Sequence, residues 1–338
     1  MLDSTPLVLA PTSRKKRRAQ PLLAARCASC LALASLLGAA HATGCGSSTD
    51  LIIGRNSPVA GGGNSGNAGA AVAGNGGLPA TDGGAAGQAG VSSEAGAIDC
   101  GDAGPPPVES LLHRYSFEGT GSVAKDSVGL ADGELLSIGQ DGTPMEGGTG
   151  AVLDGSGLLV LDGESGYVNL PNRLISSLTE VSIVAWVQWN GGAGFQRIFD
   201  FGVGAGEDDT SSQGRSYLAA TPAGLTGTRL QILARGAANS GEIKTLSEVD
   251  LKGQMHQVAV VFVSSSYAEL YSDGVQAGHS DASFPLSAID DLNVWIGRSQ
   301  WTSDHTFDGT VDEFRIYGRA LSACEVAALN AAGPNATR

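Results

Sequence analysis

The chain has 338 residues, 34 acidic against 20 basic, for a formal net charge of −14. A surplus of negative charge on this scale repels nucleic acid and anionic lipid headgroups, which excludes both as partners of the bare surface. Aromatic residues begin only at Tyr115, so a core of large apolar side chains starts there, and the length that remains accommodates one β-sandwich or barrel.

The first segment reads as an export signal, residues 1–44. Arg14, Lys15, Lys16, Arg17 and Arg18 form a basic cluster, and an apolar run densest over Leu31–Ala40 follows it. The run is too short for a stable membrane span, and Arg26 interrupts its upstream extension. Ala40-His41-Ala42 fits an ordinary signal-peptidase site, whereas Ala42-Thr43-Gly44-Cys45 resembles a bacterial lipobox. We favour the lipobox, because a cysteine followed by a flexible tail is what a lipid anchor requires. Several acyl chains at ~0.8 kcal/mol per buried methylene give durable attachment. The expectation is an exported lipoprotein, lipidated at Cys45 and held at the outer membrane, cell surface or periplasmic face. Ordinary cleavage would instead give a secreted protein. Cys27 and Cys30 form a C-x-x-C inside the signal, which argues against a redox or zinc role for them.

Residues 45–107 are dominated by Gly, Ala, Ser and Asn without a period of 2 or 3.6. Such a stretch buries too little apolar area to offset chain entropy, and it is expected to be a disordered tether. Its typical reach is roughly 40–45 Å.

From residue 108 to 333 the pattern changes to short strands broken by turn residues, with 334–338 as a tail. Leu112–Phe117 reads as the first strand, with His113, Tyr115 and Phe117 on one face. Asp154-Gly155 and Asp162-Gly163 are turn dipeptides around short apolar runs. Gly166–Pro171 is a further strand. Val181–Trp189, apolar on both faces, is a strand buried between layers. Arg197–Gly202, Arg229–Leu233 and Gln257–Phe262 follow, then Glu269–Val275 with an Asp273-Gly274 hairpin turn, then Asn293–Arg298. Near the end, Asp308-Gly309 turns into a strand of period two. Asp312, Phe314 and Ile316 face one way, and Val311, Glu313, Arg315 and Tyr317 the other. Ser322 as N-cap, Glu325 three residues later and the Leu321/Val326 pair are a capping box and hydrophobic staple for one short terminal helix.

Val311-Asp312-Glu313-Phe314-Arg315-Ile316-Tyr317-Gly318-Arg319-Ala320-Leu321-Ser322, with Tyr167-Val168-Asn169-Leu170-Pro171, Ala185-Trp186-Val187, Leu270-Tyr271-Ser272-Asp273-Gly274 and Ile296-Gly297-Arg298 in order before it, resembles the laminin G-like, concanavalin A-like jelly roll of secreted bacterial proteins. The resemblance covers about residues 112–331. It departs at Met255-His256, where the family carries Trp-His. It implies an all-β, two-sheet antiparallel jelly-roll sandwich with a short C-terminal helix, preceded here by a disordered N-terminal region. In an exported protein the two remaining thiols, Cys100 and Cys324, suggest a disulfide, and the terminal strands of this family lie near one another.

The resemblance also frames the chemistry. Related glycan hydrolases carry E-x-D-x-x-E or E-x-D-x-E on one strand face as nucleophile and acid. Here Glu248-Val249-Asp250 lacks the last acid, with Lys252 and Gly253 in its two possible places, so no proton donor is present and no enzyme is expected. The family often places calcium at one edge of the sandwich, which makes Glu118, Asp126 and Asp312 the candidate oxygen ligands. Sugar rings stack on aromatic faces while planar polar groups bond their hydroxyls. On that basis Trp189, Asn190, Tyr217, Arg298, Trp301 and His305 are the candidate ligand contacts. The expected function is a non-catalytic, lectin-like module of a cell-envelope lipoprotein that recognises a glycan or an envelope or extracellular protein, assisted by calcium. The alternatives are a structural or adhesion protein without a small-ligand site and, further off, a glycan hydrolase.

Overall fold

Val181–Trp189 is the longest run of strong strand formers, and its neighbours arrange themselves around it. The computed structural model describes Cys100 and residues 107–336 except 141, 209–213, 226 and 238–239. The expected signal peptide, the lipidation site Cys45 and the tether up to residue 107, apart from Cys100 and Pro107, lie outside the described residues. The strands are β1 (Leu111–Tyr115), β2 (Val123–Ala124), β3 (Gly133–Ile138), β4 (Pro144–Glu146), β5 (Ala151–Leu153), β6 (Leu159–Asp162), β7 (Gly166–Leu170), β8 (Glu180–Trp189) and β9 (Phe199–Val203). They continue with β10 (Ser216–Thr221), β11 (Gln231–Arg235), β12 (Ile243–Leu246), β13 (Met255–Val263), β14 (Tyr267–Ser272), β15 (Val275–Asp281), β16 (Asn293–Ile296) and β17 (Asp308–Tyr317), before helix α1 (Ala323–Ala332).

Two antiparallel sheets result. The rear sheet runs β15-β14-β13-β8-β17-β6-β5, with β1 also paired to β17, and the front sheet runs β12-β11-β10-β9-β16-β7-β3-β2, with β4 on β3. Strand β17 uses one edge twice: Asp308–Val311 face β6 and Phe314–Tyr317 face β1. Its other edge pairs with β8 throughout. Between the sheets lies one apolar cluster that includes Tyr115, Ile183, Trp189, Phe199, Phe201, Phe307, Phe314 and Ile316. These are alternate residues of each strand, as the two-residue period of a half-buried strand requires.

The expected alternation in β17 fails at one place. The register against β8 slips between Val311 and Glu313, a bulge that leaves Asp312 as the extra residue. Val311 therefore joins Phe314 and Ile316 in the interior cluster, and Asp312 is half-buried. Glu313 and Arg315 are buried on the opposite side of the rear sheet. Glu313 accepts from Arg114 Nε at 2.6 Å and Nη2 at 2.9 Å, and from Arg315 Nε at 3.0 Å.

The rear face is closed by α1. Ser322 accepts from the Glu325 N–H, and the Glu325 side chain returns to the Ser322 N–H, a complete capping box. Leu321, Val326 and Leu329 then pack on Val184, Trp186, Val261, Tyr271 and Tyr317. The chain end lies back over the sheet, where the Pro334 and Ala336 carbonyls accept from Arg315 Nη2. Cys324, in the first turn of α1, is disulfide-bonded to Cys100, with Cα atoms 5.2 Å apart. In the β14–β15 hairpin Asp273 and Gly274 both have positive φ, 51° and 80°, the conformation that favours an Asp-Gly turn. Asp273 also bonds His256 Nδ1 at 2.7 Å and the Gln257 N–H, so His256 has a structural partner.

Candidate binding groove

The outward side chains of the front sheet follow from the inward ones. Leu218 and Ala220 of β10 and Ile232 and Ala234 of β11 lie in the interior cluster, so Tyr217, Gln231 and Leu233 face out. Three loops border this face: 190–198 before β9, 222–230 before β11 and 297–307 before β17.

The first loop is fixed from below by a buried glutamine. Gln196 Oε1 accepts from Trp189 Nε1 at 2.8 Å and from the Asp308 N–H at 3.0 Å. Phe195, at φ 62°, donates its N–H to the Ala223 carbonyl and ties this loop to the second. Arg197 is buried, and its guanidinium spans two carboxylates: Nε lies 3.2 Å from Asp200 and Nη2 3.2 Å from Asp304. Its Nη1 donates to the Phe195 carbonyl, and its centre lies 5.3 Å from the Trp301 ring. Asp200 also accepts from the Gln300 N–H, and Ser299 Oγ donates to Asp304 at 2.7 Å. The third loop is therefore fastened to β9 through one arginine and two aspartates. Burial pushes the Asp200 carboxyl up to about 6 against the pull of Arg197 and the Gln300 N–H, and burial also raises Asp304.

Trp301 meets the Tyr217 ring edge-on, with centroids 4.9 Å apart. The Tyr217 hydroxyl donates to Glu242, and burial together with that carboxylate raises its pKa. Glu242 pairs in turn with Lys244 at 2.8 Å. Around these groups lies a depression of about 240 Å³ bordered by Phe195, Arg197, Leu233, Glu242, Lys244, Trp301 and Asp304. It adjoins, across Phe195 and Lys244, a trough of about 550 Å³ that reaches Leu225, Gln231, Leu246 and Glu248. Together they form a groove across β11 and β12 with aromatic and aliphatic walls and planar polar groups between them, the composition of sites that hold small polar ligands.

Of the residues expected to contact a ligand, Trp301 lines this groove and Tyr217, buried, supports it. Trp189 is wholly inside the sandwich and touches no solvent. Arg298 is buried beyond the groove, stacked at 4.6 Å on Tyr167 and 4.3 Å on Trp295, and donates to the Gly142 carbonyl. Asn190 is exposed and donates to Asp308 at 2.9 Å, and His305 is exposed beside Asp304. Phe195, Arg197, Asp200, Leu233, Glu242, Lys244 and Asp304 were not anticipated as site residues.

The expected calcium ligands do not make a fitting set. Asp126 Oδ1 accepts from the N–H groups of Arg114, Val128 and Gly129, and Oδ2 from Ala131, with His113 Nδ1 at 2.7 Å. Burial alone would raise this carboxyl, but the His113 bond and the backbone donors hold it down to about 2. Its oxygens are occupied by donors and are not offered to a cation. Glu118 is exposed. Asp312 has its pKa raised by burial first and by neighbouring Asp154 second. Glu248 and Asp250 lie in a loop, where Glu248 pairs with Arg229 and Asp250 accepts from Thr228 Oγ1.

The chain thus forms a sandwich of two antiparallel sheets with a groove on one outer face and a helix on the other. The family model described as the concanavalin A-like lectin/glucanases superfamily matches residues 162–327. Domain 4 of AbnA, an extracellular arabinanase from Geobacillus stearothermophilus solved with arabinotriose, is 22% identical, with 64% of this chain and 97% of that one covered at a TM-score of 0.51. Trypanosoma rangeli sialidase, solved with 2,3-difluorosialic acid, is 17% identical at 0.46; the match covers 67% of this chain but spans only 33% of the sialidase. The CBM40 of Ruminococcus gnavus IT-sialidase, bound to α2,3 sialyllactose, is 17% identical at 0.38, with 45% and 83% covered. No curated protein matches the chain.

Proposed function

We propose that this domain is a non-catalytic glycan-binding module whose site is the groove on the front sheet, and that a lipid on Cys45 holds it at the cell envelope. The observation that carries the reading is a groove lined by Trp301, which buried Tyr217 backs edge-on, and by Phe195, with the polar groups of Glu242, Lys244, Asp304 and Gln231 along the same lining. A sugar ring offers an apolar face to such rings and hydroxyls to such polar groups. The carboxylates near the groove are engaged by Arg197, Lys244, Arg229 or a hydroxyl, which suits binding rather than proton transfer to a leaving group. The arabinotriose bound to the related AbnA domain is consistent with an oligosaccharide ligand. Isothermal titration of the intact chain with an oligosaccharide panel tests the reading. Binding that Trp301→Ala weakens by about tenfold or more supports it, in line with the loss of one aromatic contact. Binding to no member, or binding that Trp301→Ala leaves unchanged, overturns it. The anchor is tested separately: Cys45→Ser is expected to move the protein from the membrane to the soluble fraction.

A further inference from the structure

We infer that the groove selects uncharged glycans and discriminates against acidic ones, because its positive charges are already neutralised by carboxylates of its own. The inference rests on the glycan-binding reading and narrows it. Arg197 is held between Asp200 and Asp304 and gives its third nitrogen to the Phe195 carbonyl. Lys244 is paired with Glu242. Arg229, at the far end of the trough, is paired with Glu248. Arg235 lies 5.7 Å from the Tyr217 ring, outside the residues that line the groove, and its Nε is buried without a hydrogen-bond partner.

The three cations that line the groove are thus set against four carboxylates, and the molecule around them is strongly acidic. A sugar carboxylate entering the groove would lose hydration and meet on its lining only guanidinium groups already paired with carboxylates, while Glu242, Asp304 and Glu248 repel it. A neutral ring loses nothing of this kind: its hydroxyls donate to those same carboxylates and accept from Lys244. Arg197 acts as a positioning residue. With its nitrogens occupied, it holds Trp301 at its guanidinium face instead of reaching into the groove.

The test compares oligosaccharides that differ only in a carboxylate replacing a hydroxymethyl group: galacto- with galacturono-oligosaccharides and gluco- with glucurono-oligosaccharides. In any pair that binds, the neutral member is expected to bind about tenfold more tightly or better. Asp304→Asn, which releases one arm of Arg197, is expected to narrow that ratio and to give the acidic member an affinity that falls with added salt. A near-ultraviolet circular dichroism spectrum like that of the wild type would show that Trp301 is still seated. An acidic member that binds the wild type as well as or better than its neutral partner overturns the inference and leaves glycan binding standing. A ratio that Asp304→Asn leaves untouched, with Trp301 seated, overturns the part given to Arg197. Binding to no member overturns the underlying reading and this inference with it.

Discussion

The sharpest prediction concerns Asp126, which sits where a metal ligand was expected. Its side chain is fully buried and accepts four backbone N–H bonds, at 2.9–3.1 Å, besides its contact with His113. Asp126→Asn keeps one oxygen for the three donors on Oδ1 but turns an NH2 group toward the Ala131 N–H. The loss of charge assistance and one orphaned donor together cost about 2–3 kcal/mol. Asp126→Ala leaves all four donors without a side-chain acceptor and costs about 3–5 kcal/mol, at the upper end for a single substitution. Gly129→Ala acts on the same turn, since its Cβ would stand 2.7 Å from His113 Nδ1 and 2.8 Å from the Leu112 carbonyl. The assay is urea denaturation in excess calcium and in excess EDTA. The expected loss for each Asp126 variant is the same in both. The reasoning fails if wild type drops to the level of Asp126→Asn in EDTA, because the carboxylate would then be serving an ion.

Glu313→Ala strands Arg114 and Arg315 on the covered rear face and is expected to cost about 3–5 kcal/mol. The double variant Glu313→Ala/Arg114→Met should recover part of that loss in the same denaturation curves. Asp312 has a raised pKa, so the folded state holds its proton more tightly than the unfolded one. The resulting penalty is present above the folded pKa and disappears as pH falls below the unfolded value. Asp312→Asn should therefore raise Tm at neutral pH, and the gain should shrink toward pH 3; a loss seen only with calcium present would mark Asp312 as a ligand. Reduction of the Cys100–Cys324 bond should lower stability by about 2–5 kcal/mol, measured as the shift in denaturation midpoint on adding reductant, with Cys100→Ser giving the same midpoint in both conditions.

The strands and turns were legible because their signals are local. Asp273-Gly274 needs only its own backbone to turn, and the capping box needs only Ser322 and Glu325. The face of Trp189 was equally available: strand alternation puts it with Ile183, Ala185 and Val187, all inside. The bulge at Asp312 was not legible, since a slipped register exists only in the pairing with β8. Asp126 was read by its charge, whereas the donors that saturate it come from the backbone of a turn and leave no mark in side-chain chemistry. The groove was half visible. Trp301 stands out in a loop, but the Arg197–Asp200–Asp304 clamp joins segments about a hundred residues apart. Its one clue was Asp200, a carboxylate set between Phe199 and Phe201 in an otherwise apolar strand.

The disulfide has a mechanical meaning. Strand β1 has five residues and is hydrogen-bonded to half of one edge of β17, so tension on the chain ahead of it would peel it away bond by bond. Cys100 lies upstream of β1 and is welded to α1, so a pull arriving from that direction bypasses β1. It passes instead into the helix and through it to β17, which lies deep within its sheet. That helix is on the back of the sandwich, so strain is taken up on the side away from the groove.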